Sequence, residues 1–499
     1  METVYSIRPL FAVLVSLVAA CLILLFGKHK NVREAWTIGA GIIKFAIVLS
    51  LIPLVLNGQA PEIDLITLAE GVSFKLRVDP FGLFFALISS GLWIITSLYS
   101  IGYMRTLNEH AQTRYYASFA VCLSATVGVA MSANMLTFFI FYEMLTMATY
   151  PLVIHKETKE AIAAGRKYLV YTLSAGVCLL AGLIITYSLA GTLEFTPGVI
   201  LDGHAEPEAL KALFVLFMLG VGVKAGIMPL HSWLPAAMIA PTPVSALLHA
   251  VAVVKSGVFA CLRVLWFIFG VDLLKELGVW QMMAAVAAIT ILLASLIALA
   301  QDNLKRRLAY STISQLSYIV LGATLLAPSA LMGSVLHIVN HAFMKITLFF
   351  CAGAIYAHTH KTNISQLNGI GRQMPFTMGA FTVGALGMAG IPPVAGFLSK
   401  WYLCQGSLES GEAIFLAVFL TSSVLNAAYF FPIIFRAFFM KPEPGDAACR
   451  GFNEATPFMV VPLLIAAFYS IVLFFAPDLP MSFYSIAELV VQSVTQGGV

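Results

Sequence analysis

Five ionisable residues lie inside stretches otherwise apolar enough for lipid: Glu143, Lys224, Lys255, Lys345 and Lys400. A charge near the centre of a bilayer costs roughly 2.5–3.5 kcal/mol on insertion scales. Several are placed there when they face one another, face water or do work, and one acid with four lysines suits the carriage of protons. A lysine that loads and unloads a proton near pH 7 needs a pKa about three units below its usual ~10.4, roughly 4 kcal/mol. Desolvation supplies that much, and a carboxylate moving near or away adds or removes a similar amount. Arginine would stay charged throughout.

Each of these residues has a telling setting. Glu143 stands in Phe-Tyr-Glu143-Met-Leu-Thr, either tuning a titrating lysine or forming a structural ion pair between helices. Lys224 precedes Ala-Gly-Ile-Met-Pro229, with glycines at 220, 222 and 226. Pro229 frees the carbonyl of Ala225, and helices broken in this way line cavities and mark ion sites in transporters. A lysine snorkelling to the interface is the alternative. His249 and Lys255 share one apolar run, but a separation of six puts them on different faces of a regular helix. Only an irregular helix brings both to one channel; otherwise His249 is a satisfied structural histidine. His337, His341 and Lys345 follow at i, i+4 and i+8, stacked about 6 Å apart along one face. Bridged by water they form a proton ladder. Two histidines at that spacing can also hold a metal, but no carboxylate or cysteine completes a set there. Lys400 follows a second Gly/Pro-rich break, Gly390-Ile-Pro392-Pro393-Val-Ala-Gly396. Paired breaks point to an internal repeat with one half-channel in each half. A polar stripe of Ser311, Thr312, Ser314, Gln315, Ser317 and Tyr318 is fit to line water.

The elements that must position these groups are membrane helices. Of the 499 residues, 60% are hydrophobic and 10% charged, against about 25% charged in ordinary soluble domains. That composition predicts an all-α polytopic membrane protein. The net charge of +4 is scattered over short loops and does not suggest nucleic acid. Seven dispersed cysteines, Cys449 among them, offer no CxxC spacing for an iron–sulfur or zinc site. No cofactor and no metal are expected. At about 20 apolar residues per crossing, roughly fourteen spans are expected, near 7–26, 36–56, 80–103, 115–131, 134–154, 165–190, 209–230, 243–268, 281–300, 306–325, 330–357, 376–402, 412–438 and 456–477. The first run, after Arg8, is read as a span and not as a cleaved signal. Loops on one side carry seventeen Lys and Arg, from Lys28 to Arg450, and those on the other carry six: Arg8, Lys75, Arg77, Lys211, Arg263 and Lys275. The positive-inside rule then puts both termini outside a prokaryotic cell (inner) membrane. The outer loops near 57–79 and 191–210 are too short for a domain, so residues 1–499 form a single transmembrane unit.

These segments resemble the antiporter-like subunits shared by respiratory complex I, group 4 membrane hydrogenases and Mrp-type multisubunit Na+/H+ antiporters. The likeness rests on Val-Asp79-Pro-Phe-Gly, Phe-Tyr-Glu143, Val-Lys224-Ala-Gly-Ile-Met-Pro-Leu-His-Ser-Trp-Leu-Pro and Pro-Thr-Pro-Val-Ser-Ala-Leu-Leu-His249. Asp302-Asn-Leu-Lys-Arg-Arg-Leu-Ala-Tyr-Ser-Thr-Ile-Ser-Gln and His341-Ala-Phe-Met-Lys345 match as well. The resemblance implies fourteen helices with two inverted five-helix repeats, roughly spans 4–8 and 9–13. N-terminal spans would occupy 1–114, the repeats 115–268 and 281–438, and a last span and tail 456–499. It further implies that Glu143 and Lys224 are the acid–lysine pair, Lys255 and Lys345 the central relay and Lys400 the terminal site. One branch of the family has glutamate where Lys400 stands, and the largest members carry a lateral helix that is not expected here. The wording at 371–378 looks most like the D subunits of Mrp antiporters.

The expected function is therefore proton translocation within a multisubunit Na+/H+ antiporter, in complex with other membrane subunits. The alternative is a coupling subunit of a redox complex, either complex I or a hydrogenase. Na+ wants several oxygen ligands, and Glu143 is the only carboxylate expected well inside a span. Na+ is therefore expected to cross in another subunit; Na+ uptake by vesicles holding this chain alone would overturn that.

Overall fold

The computed structural model describes residues 1–196, 200–201, 203–442 and 451–496; Cys449 and Arg450 lie outside the described residues. Every one of the expected spans falls on a helix. They are α1 (Arg8–Leu25), α2 (Lys30–Leu49), α3 (Pro80–Thr106), α4 (Gln112–Ala130), α5 (Met135–Val153), α6 (Lys159–Ala190) and α7 (Pro207–Ala225). The chain continues through α8 (Thr242–Phe269), α9 (Val279–Leu299), α10 (Leu304–Thr324) and α11 (Pro328–Thr359). A broken α12 follows (Pro375–Ala389 and Gly396–Glu409), then α13 (Ala413–Phe439), α14 (Pro457–Phe475) and a final α15 (Phe483–Gln496).

Among the described residues, 10 of these helices are long and apolar enough to cross a membrane on their own. α4, α7, α10, α12 and the 14-residue α15 fall short, α12 through its break and α10 through Lys305, Arg306, Arg307 and the hydroxyl stripe. A helix packed inside a bundle can carry such groups because its neighbours, and not lipid, receive them. The closely spaced runs near 115–154 divide where Asn134 caps α5, its Oδ1 accepting from the Thr137 amide at 2.9 Å.

A small sheet adds to the helices. The segment expected as an outer loop near 57–79 is a hairpin, Gln59–Ala69 against Val72–Arg77, with Glu2–Tyr5 parallel to its first strand. Apolar Val72, Phe74 and Leu76 alternate with Ser73, Lys75 and Arg77 at the period of a strand, and Gly71 turns the hairpin at φ +71°.

Two helices form the centre of the bundle. The most apolar windows of α8 and α11 are 100% buried, against 39% for α1, α6, α13 and α14. These two carry His249, Lys255, His337, His341 and Lys345, so the two most buried helices hold five of the eight expected site residues.

Arg263, counted above with the outer loops, is instead 2% exposed at the heart of α8. It donates to both oxygens of Asp79 at 2.5 and 2.8 Å, ringed by Phe81, Phe195, Phe259 and Phe267. Asp79 also caps α3 through the Gly82 amide at 2.6 Å. Asn keeps the cap but not the charge. Asp79→Asn should therefore destabilise the fold by about 3 kcal/mol, the lower end for leaving a buried ion unpaired. The check is the thermal midpoint of the purified protein in detergent, and an unchanged midpoint would show that the pair contributes nothing.

Candidate functional site

Lys224 is the penultimate residue of α7, whose last turn ends where Gly226 takes a left-handed φ of +72°. The loosened backbone is satisfied locally: the Trp233 indole donates to the Val223 carbonyl at 2.8 Å, and the Met228 amide donates to Thr290 Oγ1 at 3.2 Å. These two contacts give partners to backbone groups that the break would otherwise free, as a membrane interior demands. α8 presses against it directly. A Cβ on Gly257 would stand 2.3 Å from the Lys224 carbonyl carbon, so only glycine allows this approach.

The fully buried Lys224 ammonium donates to the Tyr142 carbonyl at 2.6 Å and sits 3.3 Å over the Tyr142 ring. The Glu143 carboxylate, one residue on, turns the other way. A Cβ on Gly176 of α6 would lie 2.8 Å from Glu143 Oε1, and that oxygen accepts no hydrogen bond among the described residues. Lys224 is still near enough for its charge to act on the carboxylate. The expected acid–lysine pair is therefore present as neighbours but drawn apart, the cation held by a carbonyl and an aromatic face.

The irregularity that His249 and Lys255 required is there. Leu247–Val251 and Val264–Phe269 are π-helical turns within α8, and the backbone at Ala252 is displaced to φ −94°, ψ −79°. Such π-bulges re-aim side chains and gather at functional sites. Lys255 Nζ meets His341 Nδ1 on α11 at 2.8 Å. His249 packs its ring on Phe349 at 5.0 Å, within electrostatic range of Lys345 and His341.

Along α11 the His337 and His341 rings are 6.0 Å apart, as their spacing predicts. His337 bridges outward, Nδ1 to Ser399 Oγ at 2.8 Å and Nε2 to Gln315 Oε1 at 3.0 Å. Ser399 adjoins Lys400, whose ammonium donates to the Met388 carbonyl at 2.7 Å and Ser423 Oγ at 3.1 Å, 5.1 Å from the Tyr318 ring centre. Met388 lies in the last turn before the second break, where Gly390 takes φ +81°. Lys345 departs from the expected series: it donates sideways to Ser311 Oγ at 2.6 Å, on α10.

Sequence reasoning did not single out several residues that the structure brings forward. Ser399, Ser423 and Gly257 gave no signal beyond their neighbours. Lys44 did: it stands in the apolar run Ile42-Ile-Lys44-Phe, is fully buried, and its ammonium has no hydrogen-bond partner among the described residues. Glu34, 3% exposed in the first turns of α2, is a second buried acid and pairs with Arg105.

A family model described as "NADH:quinone oxidoreductase/Mrp antiporter, TM" matches residues 132–426, which hold all eight predicted site residues. NADH-quinone oxidoreductase subunit N of Desulforudis audaxviator is 34% identical over 80% of this chain and 81% of its own length. Na(+)/H(+) antiporter subunit A1 of Staphylococcus haemolyticus is 30% identical over 94% of this chain, which spans only 61% of that longer relative. A chain of the Mrp complex from Dietzia sp. DQ12-45-1b superposes with a TM-score of 0.87, covering 98% of this chain and 99% of that one at 20% identity. At that identity the likeness concerns the fold.

Proposed function

Because this chain belongs to the NADH:quinone oxidoreductase/Mrp antiporter transmembrane family, we propose that it is the proton-translocating subunit of a multisubunit monovalent cation (Na+)/H+ antiporter of the Mrp type. The observation that carries this reading is a run of fully buried titratable groups across the bundle: Lys255 against His341, His341 against His337, and His337 bonded to Ser399 beside Lys400. Groups of this kind at hydrogen-bonding or one-water spacing pass protons, and nothing in a purely structural core calls for them.

In the proposed route a proton loads Lys224, moves to Lys255, then through His341 and His337 to Lys400. His249 and Lys345 flank the hub at His341. The Glu143–Lys224 pair acts as the switch: the carboxylate stabilises the loaded ammonium when close and helps release its proton when it swings toward Gly176. His341 Nε2, both nitrogens of His249, Gln315 Nε2 and the hydroxyls of Ser256 and Ser317 have no protein partner among the described residues. Buried polar atoms need partners, so these mark where water joins the path.

Partner membrane subunits complete the antiporter, and Na+ crosses in one of them. The chain has no reaction of its own in this reading, and both termini lie outside the cell membrane. The likeness at residues 371–378 makes it a D-type subunit. A second reading, favoured by the 34% identity to an NADH-quinone oxidoreductase subunit, makes it the coupling subunit of a redox complex. Iron and flavin content of the complex purified from native membranes separates the two. We expect neither at stoichiometric level; stoichiometric iron would move the chain to the redox class.

A further inference from the structure

Away from the buried path, the turn between α3 and α4 meets the turn between α5 and α6, and four potential ligands converge there: Glu109 and His110 from the first, His155 and Glu157 from the second. His155 is the unusual member. It is completely buried, yet neither ring nitrogen has a hydrogen-bond partner among the described residues. A histidine sealed from water ordinarily bonds through at least one nitrogen. Its ring instead stands edge-on to Tyr115 at 5.6 Å and 4.8 Å from the ring of His110.

The separations are not those of hydrogen bonds. His155 Nε2 lies 3.8 Å from Glu109 Oε2, His110 Nδ1 lies 4.0 Å from the same oxygen, and His110 Nε2 lies 4.0 Å from Glu157 Oε1. One ligand atom each from Glu109, His110 and His155 falls within 4.8 Å of the other two. Donors bound at about 2.1 Å to one tetrahedral zinc ion stand about 3.4 Å from one another. A closure of about 0.6 Å or less brings the two spacings to Glu109 into that range, and one of at most about 1.4 Å brings the two histidine ligand atoms there. His110, 49% exposed, is free to make that movement. Glu157 is otherwise occupied, accepting from Arg114 at 2.6 Å, which leaves a three-residue set and an outer carboxylate.

We propose that His110, His155 and Glu109 form a binding site for a divalent transition-metal ion of the Zn2+ class. Two imidazoles and one carboxylate are a borderline donor set suited to Zn2+, Co2+ or Ni2+ and poorly suited to Mg2+ or Ca2+, which want oxygen. A bound ion ties the turn leaving α3 to the turn leaving α5, the helix that carries Glu143. The site does not depend on the transport reading.

The test is Zn2+ binding to the purified protein, stripped with chelator and titrated against a competing metal indicator, with Co2+ absorption as a second readout. One Zn2+ per chain is expected, with visible Co2+ bands typical of nitrogen and oxygen ligands and a rise in thermal midpoint on adding Zn2+. His110→Ala, at an exposed position that leaves the metal-free melting curve unchanged, should weaken binding by more than about 10-fold. His155→Gln should abolish it. No Zn2+ uptake by the wild-type protein at micromolar free metal, or equal affinity and equal Co2+ bands in His110→Ala, would overturn the assignment.

Discussion

Replacing Lys224 with arginine should reduce coupled proton transport by at least about 100-fold while the protein still assembles. Arginine keeps the cation but holds its proton two to three pK units more tightly than lysine. A side chain whose task is only to be positive, seated over Tyr142 and bonded to its carbonyl, would tolerate that exchange in part. A side chain whose task is to release a proton would not. Lys224→Ala and Glu143→Ala should each bring transport to the level of empty vesicles, the first by removing the carrier and the second by removing the charge that resets it. The measurement is ion-gradient-driven proton movement in vesicles containing the purified complex, with assembly checked by co-purification of the partner subunits. Wild-type transport in both alanine variants would make the pair structural, and wild-type transport in Lys224→Arg would remove deprotonation of this residue from the mechanism.

How much of this could be read from the sequence depends on the range over which each feature is encoded. The two breaks were legible because proline and glycine act within a turn: Gly226 with Pro229, and Gly390 with the Pro392-Pro393 pair, combine at each site where a lone Pro151 or Pro432 leaves its helix continuous, and the structure places both breaks where expected. The ladder on α11 was legible because its spacing matches a regular helix. The meeting of Lys255 with His341 was not, since it depends on π-turns in α8 that insert offset without any residue that announces them. Contacts distant in sequence were equally hidden. Asp79 and Arg263 are 184 residues apart, and each alone reads as a helix end or a loop charge. The same blindness affected the loop-charge count: Arg33, Arg263 and Arg307 counted as loop residues, yet they are buried at 4%, 2% and 9% exposure. Side-chain direction was the last thing missing. Sequence placed Glu143 and Lys224 together; that the carboxylate rests on Gly176 while the ammonium holds a carbonyl is a matter of rotamer and packing.

His341→Gln should stop transport nearly as completely as loss of Lys224, and it separates a relay from a support more sharply than alanine does. Glutamine fits the site and its amide oxygen can still accept from Lys255, so the 2.8 Å contact and the packing against His337 survive. What it cannot do is take up a proton on one atom and release one from another, which is the property that makes imidazole a shuttle. The geometry also ranks His341 above Lys345. His341 lies between Lys255 and His337, and His337 reaches Ser399 beside Lys400, so no drawn path bypasses it. Lys345 hangs to one side on Ser311, where its loss leaves the line from Lys255 to Lys400 connected. Lys345→Gln should therefore retain a measurable fraction of transport where His341→Gln retains almost none. Both variants belong in one vesicle assay with matched protein content. Equal loss in the two would put Lys345 in series, and normal transport in His341→Gln would mean that protons cross the bundle without this histidine.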